Sequence, residues 1–318
     1  TLLRSGDIAG RWDCDSTAYG EDRPLVERVG CFEPVPGVPL WRFYEADGRE
    51  PPHGTMMDFL MGAQSEAPDA PGYDADAEPD EAPAHVVGLS PFWIHKYEVS
   101  VRQYRWCVLF GPCTEAAVGQ GGYFNYGQPG RESHPINGVT WDGAMTYCRW
   151  VGARLPTEAE WEFVARNGPR QHRHPWQSGA ELPVNCGMAV HGGGAERRCG
   201  LASTAAVGHY PPEGEDQWHF TVNLVGNVWE WTADWYNEAY YAGSPRRDPK
   251  GPDSGSGRVQ RGGGWSDDDP VVLRSAFRAQ MDPSAQLPDV GFRCAADSVD
   301  HPADASLVLG PWLAGDRR

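Results

Sequence analysis

Short apolar runs alternate along this chain with long stretches of glycine, proline and polar residues, and the pattern inside each run sets the element expected there. From Thr55 to Gly62 an apolar run (Met56, Met57, Phe59, Leu60, Met61) leads into an acidic stretch. Apolar character resumes at His85-Val86-Val87-Gly88-Leu89 and Phe92-Trp93-Ile94. Their β-branched and aromatic content predicts strands. Three helices are marked by their starts. Ser100 with Gln103 makes a capping box ahead of Tyr104, Trp106 and Val108. Thr140 caps a helix over Trp141 to Val151 that Gly152 ends, and Thr157 with Glu160 repeats the box after Pro156. In each box the side chains satisfy backbone donors that a helix start leaves unpaired, so Glu158, Glu160 and Glu162 require no catalytic role. Beyond Asn167 the apolar pieces shrink to fragments such as Phe220-Thr221-Val222 and Arg258-Val259-Gln260-Arg261. A domain with so much loop has to satisfy its backbone groups through turns, side chains or bound ions.

Composition agrees with that picture. With 318 residues and 40% apolar content the chain can bury a sizeable core, and its 39 glycines, 28 prolines and 14 tryptophans favour irregular segments pinned by aromatic packing. The net charge of -17 disfavours nucleic acid and anionic membrane surfaces as partners. Much of that excess lies between Ser65 and Ala84, where Glu66, Asp69, Asp74, Asp76, Glu78, Asp80 and Glu81 meet no Lys or Arg. The expectation there is a solvated loop. No run approaches the roughly 20 apolar residues of a membrane-spanning helix. Thr1-Leu2-Leu3-Arg4 lacks a signal-peptide pattern, so an exported protein would be a processed chain. The eight cysteines form no Cys-x-x-Cys pair, which points away from a zinc ribbon and toward disulfides in an oxidising, extracytoplasmic compartment. Residues 1–54 read as an appended segment and residues 298–318 as a C-terminal tail, around a domain over 55–297.

Several motifs in order resemble the formylglycine-generating-enzyme, or sulfatase-modifying-factor, family. They are Pro91 to Ser100, His134 to Trp141, Arg154-Leu155-Pro156-Thr157-Glu158-Ala159-Glu160-Trp161-Glu162, Asn223-Leu224-Val225-Gly226-Asn227-Val228-Trp229-Glu230-Trp231, Arg261-Gly262-Gly263-Gly264-Trp265 and Gly291-Phe292-Arg293-Cys294. The resemblance implies an α+β fold: irregular, loop-rich and related to C-type-lectin-like domains. It also implies a disulfide between Cys148 and Cys294, after which proximity suggests Cys14 with Cys31, Cys107 with Cys113 and Cys186 with Cys199. One calcium site is implied at the side chains of Asn223 and Glu230 and the carbonyls of Gly226 and Val228, an oxygen-rich donor set of the kind calcium prefers. A second family calcium site would begin near Asn185. There an acidic ligand is replaced by Cys199, and a Cys186–Cys199 bridge is expected to serve as the cross-link in place of the ion.

The family's copper(I) enzymes use two cysteines after the glycine motif. Here those positions fall near Asp267 and Val272. Carboxylates do not suit copper(I) as thiolates do, so copper-dependent formylglycine generation is not expected. Trp265, Asp267, Asp268, Asp269, Arg274, Arg278 and Asp282 are the candidates for a ligand pocket, with the alternatives that Asp267 to Pro270 is a plain turn and that both arginines pair with core carboxylates. A facial iron triad would need two histidines and a carboxylate to converge, and the spacing of His134, His172, His174, His191, His209 and His219 does not demonstrate one. Two functions remain open: a non-catalytic extracytoplasmic module binding a protein or small molecule, and a metal-dependent oxidoreductase of the same superfamily whose redox metal the sequence does not name.

Overall fold

A computed structural model describes residues 32–35, 57–176, 184–192, 197–209 and 221–297. In chain order the strands and α-helices are β1 (Phe32–Val35), β2 (Met57–Met61), β3 (His85–Leu89), β4 (Phe92–His95), α1 (Val101–Phe110), α2 (Trp141–Trp150), α3 (Glu158–Ala165), β5 (Trp229–Trp235), β6 (Arg258–Arg261), β7 (Arg278–Met281), β8 (Val290–Gly291) and β9 (Ala295–Ala296). Among the described residues they form three small sheets, ordered β1-β4-β9, β2-β3 and β7-β6-β5-β8. All pairings are antiparallel except β5 with β8. The architecture is α+β and loop-rich. Pairing of β1 with β4 brings backbone from upstream of residue 55 into a sheet of the domain.

All three helix starts form as the sequence predicts. Ser100 and Thr157 each accept from the backbone of the third helical residue while Gln103 and Glu160 return the bond, and Thr140 caps through Gly143. The C-terminal signal of α2 is Gly152 at φ +77°, in the left-handed region that glycine enters without a Cβ clash. On α1 only Val101, Tyr104 and Cys107 are buried, one face of the helix, whereas every residue of α3 is buried. An all-round buried helix carrying Glu158 and Glu162 has to bring their counter-charges into the core.

It does so with arginines. Glu162 pairs with Arg166 at 2.6 Å and also with Arg261, and Glu158 takes two bonds of 2.8 Å from Arg278. Around these pairs, one apolar cluster packs Phe59, Val87, Phe92 and Ile94 of β2 to β4 against Trp161 and Phe163 of α3. A second packs Tyr104 and Tyr147 of α1 and α2 against Trp229, Trp231 and Phe292. Bridges Cys107–Cys113, Cys148–Cys294 and Cys186–Cys199 are all present, so each described cysteine is oxidised. Cys14 and Cys31 lie outside the described residues.

The acidic stretch is the expected solvated loop only in part: Glu66, Asp69, Asp76 and Glu78 are exposed, whereas Asp74, Asp80 and Glu81 are tied down. Glu81 is fully buried, with Arg274 donating at 2.8 and 2.5 Å to its two oxygens. Asp74 lies 3.2 Å from both Arg173 and Arg274, and Asp80 accepts from the Tyr236 hydroxyl at 2.6 Å. The segment has no local cation because its partners arrive from far along the chain. It folds down as a clasp over the C-terminal sheet.

Candidate functional site

The glycine motif after β6 makes a turn that only glycine fits. At Gly262, φ is +98°, and a Cβ would stand 2.5 Å from the Leu224 carbonyl oxygen and 3.0 Å from the Trp161 ring. The following loop is then stitched from both sides. Asp267 Oδ2 accepts from Gly264 N at 2.7 Å and from Trp229 Nε1 at 2.8 Å, while the Asp267 carbonyl accepts from Gly192 N at 2.7 Å. Gly192 rides so close to the loop that a Cβ there would meet the Ser266 carbonyl oxygen at 2.6 Å and Asp268 Oδ1 at 2.7 Å. Ser266 donates to Asp289, and Trp265, buried, donates its Nε1 to the Pro288 carbonyl at 2.9 Å. The exposed ring of Tyr123 tilts against Trp265 with centroids 5.3 Å apart.

Burial pushes the Asp267 carboxyl above the usual carboxylate range, Asp289 and Asp268 push the same way, and the bonds from Gly264 and Trp229 oppose them. Asp268 and Asp269 are exposed, and Asp269 caps the turn Pro270–Leu273 through Val271 N. Val272, at the family's second cysteine position, packs against both apolar clusters. Trp265, Asp267 and Asp268 thus lie on one loop beside Asp289, Tyr123 and the 191–192 backbone. Arg274 and Arg278 do not join them: Arg274 is committed to Glu81 and Asp74, and Arg278 to Glu158 with its guanidinium 4.2 Å from the Tyr241 ring centroid. Asp282 is exposed and holds its own turn through the Ser284 N–H and hydroxyl, which keep its carboxyl low.

The 223–230 motif surrounds a different centre. Arg293, of the Gly-Phe-Arg-Cys motif, donates at 2.7 Å to each oxygen of Glu230, and further to the carbonyls of His95, Lys96, Val222 and Asn223. Trp161 Nε1 adds a 2.8 Å bond to Glu230. Asn223 and Asn227, both left-handed, direct their amides at Glu98 at 3.1 and 2.8 Å. Burial raises the Glu98 carboxyl to about 7, with Glu230 adding to the rise and Arg293 and Asn227 resisting it. Glu230 is thus paired with Arg293 and bonded by Trp161, while Glu98 takes the two asparagine amides; an oxygen-preferring cation such as calcium would have to share these carboxylates with those donors.

His134 Nδ1 lies 3.0 Å from both Arg131 and the Thr204 hydroxyl, and burial lowers its pKa to about 4. His174 contacts the Leu273 carbonyl and stacks on Trp176. His219 lies outside the described residues. Among the described residues one group of three metal-ligand side chains converges, Cys186, His191 and Cys199. It contains no carboxylate and one histidine, so it is not a facial triad. Sequence reasoning missed His191, Glu98, Asp289 and Tyr123 as site residues. Glu98, Asp289 and Tyr123 reach their neighbours across 23 residues or more, whereas His191 lies only five and eight residues from Cys186 and Cys199, in a spacing that matches no familiar metal motif.

Residues 54–298 match the sulfatase-modifying factor enzyme 1-like domain. The formylglycine-generating enzyme of Streptomyces coelicolor is 42% identical over 177 residues, 53% of this chain and 54% of that protein. The chain thus spans about half the length of that relative. The corresponding enzyme of Thermomonospora curvata is 36% identical over 279 residues, covering 71% of this chain and 89% of its own length. Among solved structures, PvdO from Pseudomonas aeruginosa superposes with a TM-score of 0.58 at 25% identity, covering 76% of this chain and 92% of its own.

Proposed function

The chain belongs to the sulfatase-modifying factor enzyme 1-like family, and from that premise we propose that it is a non-catalytic, extracytoplasmic binding module whose ligand is a cationic group of a protein or small molecule. The observation that carries this is the chemistry of the loop after the glycine motif. Where the family resemblance places two thiols, Asp267 is bonded to Trp229 and Gly264, and Val272 packs into the apolar clusters. Neither offers a soft donor for copper(I). What faces solvent is acidic and aromatic: Asp268, Asp269, the partly exposed Asp289 and the exposed ring of Tyr123. Carboxylates beside an aromatic face suit an ammonium or guanidinium. The three described disulfides support an oxidising compartment. Among the described residues no helix is long and apolar enough to cross a membrane.

Calcium is part of the same proposal, as a scaffold ion. Asn223, the carbonyls of Gly226 and Val228, and the carboxylates of Glu98 and Glu230 would hold it. Its charge would offset the carboxylate that Arg293 leaves uncompensated.

The test is calorimetric titration with a lysine- and arginine-rich peptide and with an acidic control, alongside metal analysis of the purified protein. Basic-peptide binding is expected to weaken several-fold in Asp268→Asn and in Tyr123→Ala, since exposed charge and cation–π contacts are each worth about 0.5 to 1 kcal/mol. Binding of neither peptide, or indifference to both substitutions, would refute the site. Stoichiometric iron or copper would instead favour the metal-dependent oxidoreductase of the same superfamily.

A further inference from the structure

Close to the carboxylate loop, the segment 186–199 carries a cluster that the binding proposal does not use. The ligand atoms of Cys186, His191 and Cys199 all lie within 4.8 Å of one another. His191 is 4% exposed, and neither ring nitrogen has a hydrogen-bond partner among the described residues. An imidazole buried without a partner is destabilising by about 1 to 3 kcal/mol, so its retention beside two sulfurs calls for a chemical reason. A neutral imidazole nitrogen without a hydrogen-bond partner keeps a lone pair for a metal.

We propose that Cys186, His191 and Cys199 form a thiol-gated site for a thiophilic closed-shell cation, Zn2+ or Cu+, closed while the two cysteines are bridged and opened by reduction. A disulfide sulfur is a poor ligand, whereas a thiolate is a strong one for either ion. In the opening step a dithiol transfers two electrons and two protons to the Cys186–Cys199 bond and becomes a cyclic disulfide. Metal binding then displaces both thiol protons, forming two metal–sulfur bonds and one metal–nitrogen bond to His191. With metal–sulfur distances of about 2.3 Å and a metal–nitrogen distance of about 2.0 Å, tetrahedral ligand atoms stand roughly 3.5 to 3.8 Å apart, inside the spread found here.

The gate is selective because of exposure. Cys186 and Cys199 are half-buried, whereas Cys107, Cys148 and Cys294 are fully buried and Cys113 nearly so. Among the three described bridges a reductant therefore reaches this one first. Cys199 Sγ also lies 3.4 Å from the Ala189 carbonyl oxygen and 3.8 Å from that of His191, acceptors for a thiol proton once the bridge opens. The site is independent of the cationic-ligand proposal and is read by a different experiment.

That experiment compares the full chain oxidised and after limited treatment with a trialkylphosphine. The phosphine takes oxygen from water as the disulfide becomes two thiols, and it does not compete for zinc as a dithiol would. Zinc and cuprous ion are titrated in separate arms, with bound metal counted by mass spectrometry and thiolate ligation read from the charge-transfer band of Co2+ in the zinc arm. One equivalent is expected in the reduced protein and none at this site in the oxidised protein, with competition between the arms showing which ion is preferred. His191→Ala is expected to weaken uptake about tenfold or more, and the Cys186→Ser/Cys199→Ser pair to abolish it. The oxidised His191→Ala protein should melt cooperatively, which separates lost ligation from lost folding, and His191→Gln provides a second variant of similar size. Equal uptake by oxidised and reduced protein, no uptake of either ion after reduction, or undiminished uptake by the His191 variants would each overturn the proposal.

Discussion

Replacing Glu98 by glutamine is the sharpest test of the buried charge imbalance at the centre of the fold. Glu98 is 1% exposed, and its carboxyl is raised from 4.5 to about 7. Between those values the folded state holds a proton that the unfolded chain has released, so stability falls as pH rises through the window. The cost is absent below about 4.5 and complete above about 7. At about 1.4 kcal/mol per pKa unit the full penalty is on the order of 3 kcal/mol, most of which accrues between pH 5 and pH 8. Glutamine does not ionise, although its amide can satisfy only one of the two asparagine donors, a loss of about 1 kcal/mol that does not vary with pH. Urea unfolding of both proteins at pH 5 and pH 8 in calcium-free buffer measures the difference. The stability of the parent relative to Glu98→Gln should fall by about 2 to 3 kcal/mol from the lower to the higher pH. Taking the difference also removes the opposing contribution of His134. That histidine's lowered pKa gives stability that is lost as pH falls through the range from 6.5 to about 4 in both proteins. A relative stability constant within about 0.5 kcal/mol would show that ionised Glu98 is already compensated, and the charge argument would fail.

Three further outcomes follow from the same contacts. Calcium at about 100 times its dissociation constant should add roughly 2.7 kcal/mol to stability and flatten the Glu98-dependent pH slope; an unchanged melting temperature across a calcium titration would remove the ion from the 223–230 motif. Arg274→Met strands the Glu81 carboxylate in the core and should cost about 3 to 5 kcal/mol in equilibrium unfolding, with earlier protease cleavage between residues 65 and 84. Pairing it with Glu81→Gln should recover part of the loss, and no recovery would mean that the clasp acts through packing alone. Replacing Cys148 and Cys294 by serine opens a link with a sequence separation of 146 and should cost about 5 kcal/mol in the chain-entropy treatment; a loss below about 1 kcal/mol would contradict that account.

Local chemistry made much of the scaffold legible in the sequence. Capping boxes at Ser100 and Thr157, the Thr140 cap and Gly152 act within a few residues, and they set helix starts and an end wherever the chain lies. The ordered motifs identified the family, whose resemblance implied Cys148–Cys294, and proximity among the remaining cysteines suggested Cys107–Cys113 and Cys186–Cys199, the three bridges now seen. Charge was harder to read. An acidic stretch without cations looks solvated until Arg173 and Arg274 are brought to it, and of the two roles the sequence left open for Arg274 and Arg278 the pairing with core carboxylates is the one found, although which carboxylates was not legible. The candidate site divides in the same way. Asp267 and Asp268 were visible as an acidic run, but the partners that hold Asp267 in place, Trp229 and the Gly192 backbone, lie 38 residues or more away.

The sequence by itself determined the family, the helix signals, the positions of the disulfide cysteines and the absence of cysteine from the loop after the glycine motif, because these are properties of residue type and short spacing. Only the tertiary structure decided which charges are spent on the core and which face solvent, that Glu98 is buried within the field of the Arg293–Glu230 pair, and that His191 stands beside Cys186 and Cys199. An ionisable side chain takes its role from the dielectric and the counter-charge around it, and in this chain both are supplied by segments distant in sequence.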